Sequence, residues 1–270
     1  QIPVYEVSSS ILIKEDDKKS TNNALSAMQD FGMLSMTSNF DNELEILKSR
    51  TLIKKVVSRL NLYTNIAIEQ SFGYDVPLYK NSPLDVFMTA EEADKLEGNI
   101  RLELIYSPTG QLIVTAFYIQ NGDKQETTKS FDELPAILPL PVGVITISHN
   151  DSSPAPQEPV NLKAIISTPT AAAAGYRAGL TVAPISNTST IATISVQNTH
   201  IQRASDFTQE LIILYNQDTN TEKNEVAQKS ADFIEERISI INHELGTTET
   251  ELAEFKQRAG LTDISSCLLY

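Results

Sequence analysis

Near the C-terminus, apolar residues recur at alternating intervals of four and three positions, the repeat of one narrow helix face. The members of this stripe are Ala227, Ala231, Ile234, Ile238, Ile241, Leu245, Thr248, Leu252, Phe255 and Ala259. At ~1.5 Å per residue a helix over 227–259 is about 50 Å long, more than a compact domain normally covers. We therefore predict a long helix over 216–260 that meets another helix through its stripe.

The residues predicted to form this helix-packing or oligomer interface are Ala231, Ile234, Ile238, Ile241, Leu245, Leu252 and Phe255. The competing interpretation is that 227–259 folds back onto its own domain, as most apolar helix faces do. The narrowness of the stripe, its polar flanks and its length of more than four heptads favour a helical partner. That partner is either a neighbouring copy or a later segment of the full-length chain.

Residues 5–13 alternate between apolar and polar, which predicts a half-buried strand. A polar stretch over 15–23 and a short helix over 24–31 follow. The next apolar positions, from Leu44 to Leu60, have helical spacing and predict one amphipathic helix with Asn39 or Asp41 as its cap.

Strand patterns dominate 64–161, with the clearest runs at 100–106, 112–119 and 142–147. Turn residues at 107–110 and at 121–123 predict hairpin connections. Six of the twelve prolines lie between Pro135 and Pro159, and 152–159 is typical of a stiff linker. We interpret 64–161 as a β-rich inserted subdomain.

Strand patterns return at 162–166, 180–185 and 190–196, and with the first strand they predict one mixed sheet. A short helix over 170–176 lies between the first two, with Gly179 at a helix C-terminus. A first apolar helical stripe at Ala204, Phe207 and Leu211 precedes a polar break over 216–221, which predicts a kink or a change of phase.

The predicted fold class is α+β: a mixed-sheet base domain with amphipathic helices, a β-rich inserted subdomain and a long protruding C-terminal helix. The base is discontinuous, over 1–63 and 162–215. The insert occupies 64–161, the long helix 216–260 and a tail 261–270.

The composition limits the classes of function that this chain can have. The chain has 270 residues, 41% of them hydrophobic, which suffices for a folded core. Its formal charge of −14 and the lack of a concentrated basic run argue against a nucleic-acid partner. The single Cys267 allows no internal disulfide. No run approaches the ~20 apolar residues of a membrane span, and the abrupt start at Gln1 predicts a fragment of a larger protein.

Motifs for catalysis or cofactor binding do not emerge from the sequence. None of the ten glycines is followed by lysine, so a phosphate loop of the G-x-x-x-x-G-K type is missing. His149, His200 and His243 lack metal-ligand spacing, and the latter two are interpreted as surface residues. Carboxylate pairs such as Glu235 with Glu236 are typical of a solvated helix face. We predict no metal, no cofactor and no enzymatic activity for this chain.

Several blocks together resemble the periplasmic part of the polysaccharide co-polymerases, the Wzz-type chain-length determinants. The matching blocks are the strand at 5–13, the helical runs at 43–50 and 56–62, the strand at 194–196 with Ala204, Leu211 and Tyr215-Asn216, the long helix from Ala227 through Arg258, and 261–264. The similarity extends over most of the chain and rests on the order of the blocks. The tail over 265–270 does not look like the family.

The resemblance implies a periplasmic scaffold at the bacterial inner membrane, with one membrane span before the first strand and another after the long helix. The expected role is regulation of chain length, polymerisation or export of capsular polysaccharide, exopolysaccharide or O-antigen. Expected partners are further copies of the protein, the polymerase or outer-membrane export machinery, and the polysaccharide itself. The insert favours the Wzc-like subclass fused to a cytoplasmic tyrosine kinase, which would lie outside this chain.

Two other function classes remain open at this point. A periplasmic adaptor or glycan-binding module would hold its ligand in the β-rich insert and use the helix as a spacer. An enzyme is the least supported class, because no convergent acid, base or nucleophile can be named.

Overall fold

The computed structural model describes residues 3–13, 40–69, 75–154, 156–186 and 189–258. Within these ranges the chain is α+β with a long C-terminal helix, as predicted, and its sheets are antiparallel. It divides into two compact units, Gln1–Tyr215 and Asn216–Tyr270. The predicted helix over 24–31, the candidate cap Asn39 and the tail over 261–270 lie outside the described residues. The domain boundaries given above stay a prediction.

Twelve strands are described. They are β1 (Tyr5–Leu12), β2 (Thr64–Glu69), β3 (Asp75–Leu78), β4 (Leu84–Phe87), β5 (Ile100–Tyr106), β6 (Leu112–Gln120), β7 (Asp123–Phe131), β8 (Ala136–Leu140), β9 (Gly143–His149), β10 (Val160–Ile166), β11 (Leu180–Pro184) and β12 (Ile191–Asn198). The described helices are α1 (Phe40–Leu47), α2 (Arg50–Arg59), α3 (Ala90–Ala93), α4 (Pro169–Ala178) and α5 (Ile201–Arg258).

Three antiparallel sheets contain these strands, in the orders β1-β12-β11, β3-β2-β10-β5-β6-β7 and β4-β9-β8. The expected mixed sheet is wrong in two respects. Its strands β1, β12 and β11 pair antiparallel, and β10 pairs with β2 and β5 and not with β1. Its inward residues Leu162, Ala164 and Ile166 are buried and continue the apolar face of both neighbours. Alternation along a strand sets which face is buried but does not choose the neighbour, so the sequence could not assign this pairing.

The six-stranded sheet is built on clear alternation. Ile100, Leu102 and Leu104 of β5 are buried while the residues between them are exposed. The predicted hairpin turn after β6 is confirmed, and it leads into β7, a strand that was not predicted. Gln120 pairs with Asp123, and Asn121 and Gly122 have positive φ angles of 52° and 82°. Both angles suit the tight two-residue turn that follows the twist of the strands.

The predicted single helix from Leu44 to Leu60 is instead two helices. α1 ends at Leu47, and α2 begins at Arg50 with Ser49 as its cap, since the Ser49 hydroxyl accepts from the Leu52 amide at 3.2 Å. Asp41 lies inside the first turn of α1 and is not the cap of a single helix. Apolar spacing continues across the break, so only the cap geometry separates the two helices.

The predicted helix C-terminus at Gly179 is confirmed, because Gly179 follows α4 as its cap residue. A side chain there would meet the carbonyl oxygen of Gln197 at 3.2 Å, so glycine allows α4 to end against β12. The polar break over 216–221 does not interrupt the long helix, since α5 continues through it. No helix in the described part of the chain is long and apolar enough to cross a membrane.

Candidate functional site

The candidate site is the apolar stripe on the part of α5 that belongs to the second unit. Its larger side chains keep between 49% and 62% of their surface exposed. They are Ile234, Ile238, Ile241, Leu245, Leu252 and Phe255. Ala231 is exposed as well. Because these residues share one α-helix with alternating spacings of three and four, they form one continuous seam along it.

The positions beside the stripe carry charges of both signs. They are the acidic Glu235, Glu244, Glu249 and Glu251 and the basic Arg237, Lys256 and Arg258. In paired helices such flanking residues face each other across the seam and set partner choice. Opposite charges that face each other are favourable, so the flanks favour a partner helix whose flanking charges complement this mixed pattern.

Two further apolar residues of α5, Phe233 and Ile240, lie off the stripe. The guanidinium of Arg237 lies 5.2 Å from the centre of the Phe233 ring, a contact within one helix that covers part of that ring. Ile240 is 39% exposed. It therefore provides an apolar residue next to the stripe but outside it.

The first turns of α5 belong to the other unit and are buried there. Ala204, Phe207 and Leu211 have no exposed surface. The Phe207 ring stacks on Tyr176 of α4, with ring centres 4.6 Å apart. Further along, the Tyr215 hydroxyl donates to the Glu43 carboxylate at 2.7 Å. The predicted first apolar stripe of the helix is thus part of the core.

A buried arginine fixes the start of α5 to β2. Arg203 donates to the Asn65 side-chain oxygen at 2.5 Å, to the Thr64 carbonyl at 2.8 Å and to the Leu62 carbonyl at 3.4 Å. Its Nε has no hydrogen-bond partner within the described residues. A buried guanidinium is tolerated only when it is hydrogen-bonded, so these carbonyls make Arg203 a structural anchor.

The Asp206 carboxylate, one turn later in α5, accepts from three donors. Lys80 lies 2.6 Å and the Tyr79 hydroxyl 2.9 Å from one carboxylate oxygen, and Gln202 donates to the other at 2.9 Å. Burial acts to raise the pKa of Asp206, but the donors outweigh it and hold that pKa below its usual value. The same carboxylate and burial raise the pKa of Tyr79. Each group is held in its ordinary charge state, which suits a structural role better than proton transfer.

His200 lies beside this cluster and is half-buried, so the interpretation of it as a surface residue is wrong. Its ring packs edge-on against Tyr79, with centres 5.6 Å apart. Burial and the charge of Arg203 lower the pKa of His200, while Asp206 acts in the opposite direction. A residue that precedes a helix is often exposed. His200 is not, because the Tyr79 ring packs against it.

The lowered pKa of His200 predicts a contribution to acid sensitivity. In the unfolded chain the pKa of His200 returns to its ordinary value of ~6.5. The contribution of neutral His200 to the free energy of unfolding is therefore complete above that pH and is lost as pH falls through the folded pKa. We expect His200→Gln to flatten the decline in the free energy of unfolding between about pH 7 and about pH 5. Urea titrations across that range measure it.

The matched control is His243→Gln, on an exposed position of α5. It should leave the pH dependence as it is in the wild type. Equal slopes for the wild type and His200→Gln would contradict the assignment.

The remaining titratable residues that the structure describes do not assemble a reactive centre. His149 packs against Tyr106 at 6.4 Å between ring centres, and His243 is exposed on α5. Within the described ranges, no group of three or more His, Cys, Asp or Glu is placed to hold a metal ion. The acidic residues of α5 beyond Tyr215 are exposed, as their pattern predicted.

No known family model matches this chain, and neither does any curated protein sequence. The arrangement of its own residues therefore carries the functional assignment, together with the resemblance described above.

Proposed function

We propose that this chain is the periplasmic part of an inner-membrane protein of the Wzz type, a scaffold that governs the length, polymerisation or export of a surface polysaccharide. The observation that carries the proposal is the exposed stripe on α5. An apolar seam of this length on an isolated helix is costly in water and is typical of a surface that pairs with another helix.

The proposed partner of the stripe is a returning helix of the same full-length protein, as the family resemblance implies. The flanking charges alone do not decide between this helix and a parallel copy of α5. A copy aligned in parallel and in register would set Glu244 against Glu249, a like-charge pair, and Glu251 against Lys256, an opposite-charge pair. Copies of the complete protein would then assemble through other surfaces as well.

The unit over 1–215 supports a scaffold rather than an enzyme. Its buried charged residue, Arg203, is engaged with backbone carbonyls, and Asp206 is engaged with three donors. These contacts hold the first turns of the long helix in place. The proposed role of this unit is to orient that helix, with any kinase activity in a separate cytoplasmic domain.

The strands β2 to β9 support the kinase-fused, Wzc-like subclass within this proposal. They lie between the two segments that resemble the base of the family. A glycan-binding module is the competing function, and it would place ligand binding on these strands. Direct binding of polysaccharide to the chain, with no effect of the stripe on assembly, would favour that function instead.

The decisive experiment uses the complete gene in its own host. Deletion of the gene should abolish or shorten the surface polysaccharide, and the full-length gene should restore its length distribution on a gel. The complete protein should have an apolar span on each side of this chain, with residues 1–270 on the periplasmic side in reporter fusions. An unchanged polysaccharide after deletion, or a cytoplasmic reporter signal, would overturn the proposal.

A further inference from the structure

A cavity of about 370 Å³ lies beside the packed helices α2 and α4. Its lining comes from one face of each helix: Arg50, Lys54, Thr170, Ala173, Ala174, Arg177 and Ala178. The volume is at the lower end of the ~300–1,000 Å³ range of small-molecule pockets. All of the lining residues belong to the unit over 1–215 and none to the stripe.

Three of the lining side chains are cationic and none is anionic. Lys54 is already neutralised, since its ammonium lies 2.6 Å from the Asp94 carboxylate, which also accepts from the Thr170 hydroxyl at 3.2 Å. Arg50 and Arg177 differ from Lys54. Among the described ion pairs, neither of these two exposed guanidinium groups has a carboxylate partner.

Two arginines that line one cavity and have no ion-pair partner among the described residues are notable in a chain with 35 acidic and 21 basic residues. Like charges at one cavity repel each other, and a carboxylate from the acidic surplus could have been placed between them. An oxyanion in the cavity would remove that repulsion. Arginine suits this task because its planar fork matches the two oxygens of a carboxylate or a phosphate.

The apolar part of the lining is made of alanines. Ala173 is buried, while Ala174 and Ala178 are exposed. Their short side chains leave the cavity open, and a large side chain at Ala174 or Ala178 would occupy part of it. The cavity thus combines a small apolar wall with two free guanidinium groups, which suits an organic body that carries one oxyanion.

We propose that this cavity is a binding site for a small ligand with a carboxylate or phosphate group, held by Arg50 and Arg177 against the alanine face of α4. The site is independent of the stripe. If no ligand binds at the cavity, the proposed scaffold function is unaffected. If the scaffold function is wrong, the proposed ligand site is unaffected.

Isothermal titration calorimetry on the whole chain tests the proposal with four probes: glucuronate, glucose 1-phosphate, inorganic phosphate and glucose. The first two are expected to bind at low salt, more weakly as salt is added. Binding of only the carboxylate or only the phosphate probes identifies the source of the oxyanion, and both results support the site. Glucose should not bind. Equal binding of glucose, or binding of none of the probes, would overturn it.

Variants separate the cavity from general charge effects. Arg50→Gln with Arg177→Gln should weaken binding at least tenfold, since two charge-assisted contacts are lost. Ala174→Leu should weaken it as much by filling the space while it keeps every charge. The matched control Arg101→Gln removes an exposed arginine on the six-stranded sheet and should change nothing. Undiminished binding in the double variant and in Ala174→Leu, with unchanged circular dichroism, would refute the site.

Discussion

Replacing Phe207 by alanine is expected to lower the free energy of unfolding of the 1–215 unit by about 3–5 kcal/mol. Phe207 has no exposed surface, and its ring stacks on Tyr176 at 4.6 Å between ring centres. Truncation removes the buried aromatic surface and leaves a cavity between α5 and α4. The loss is large compared with the ~5–15 kcal/mol that stabilises a typical domain.

Urea denaturation followed by near-ultraviolet circular dichroism measures this effect. Eight of the nine tyrosines precede residue 216, so the signal reports on the 1–215 unit. The matched control is Phe255→Ala, the same change on the same helix at a side chain that is 62% exposed. It should change the stability by no more than about 0.5 kcal/mol. Similar losses for the two variants would contradict the assignment of Phe207 to the core.

Charge on the stripe is expected to have the largest effect on assembly of the complete protein. The double variant Ile238→Glu with Ile241→Glu places two carboxylates in the seam, where pairing would bury the isoleucines. Each isoleucine contributes about 1.5–3 kcal/mol on burial. Their loss, with the cost of desolvating the new charges, should weaken helix pairing more than a hundredfold and alter the polysaccharide length distribution.

Ile240→Glu is the control for this experiment. It adds one carboxylate, against two in the double variant, to the same region of α5 at an apolar residue outside the stripe. The oligomer size of the detergent-extracted protein and the gel profile of the polysaccharide should remain those of the wild type. If the double variant behaved like this control in both measurements, the stripe would have no role in pairing.

Much of the secondary structure could be predicted because its signals are local. The alternation at 100–106 and 112–119, the turn at Asn121 and the long apolar repeat of α5 each lie within a short window of sequence. Five of the described strands, β2, β3, β4, β7 and β8, were not predicted individually, and two of them show different reasons. β7 is an edge strand whose residues, from Asp123 to Phe131, are mostly polar, and its place is set by backbone pairing with β6. β8 contains Pro139 and lies in the proline-rich segment between Pro135 and Pro159. Prolines are not typical of a strand, although Ala136 and Leu138 are buried.

The two candidate sites also differ in how far the sequence predicts them. The stripe could be identified from spacing alone, since all of its members lie on one helix. The cavity could not, because Arg50 and Arg177 are far apart in sequence and meet only when α2 packs against α4. The anchoring role of Arg203 also had little sequence signal. The only sequence signal for this role was a charged residue next to Ala204, at the start of an apolar helical face.

The sequence by itself therefore determined seven of the twelve described strands, the presence of a long C-terminal helix, the acidic balance of the chain and the residues of the α5 stripe. Periodicity and composition carry these properties, and neither depends on distant residues. Only the tertiary structure decided that β10 joins the six-stranded sheet, that His200 and Arg203 are enclosed by residues around Tyr79, and that two arginines share a cavity. Those features come from contacts between segments far apart along the chain, where burial and backbone pairing, not local pattern, set the free energy.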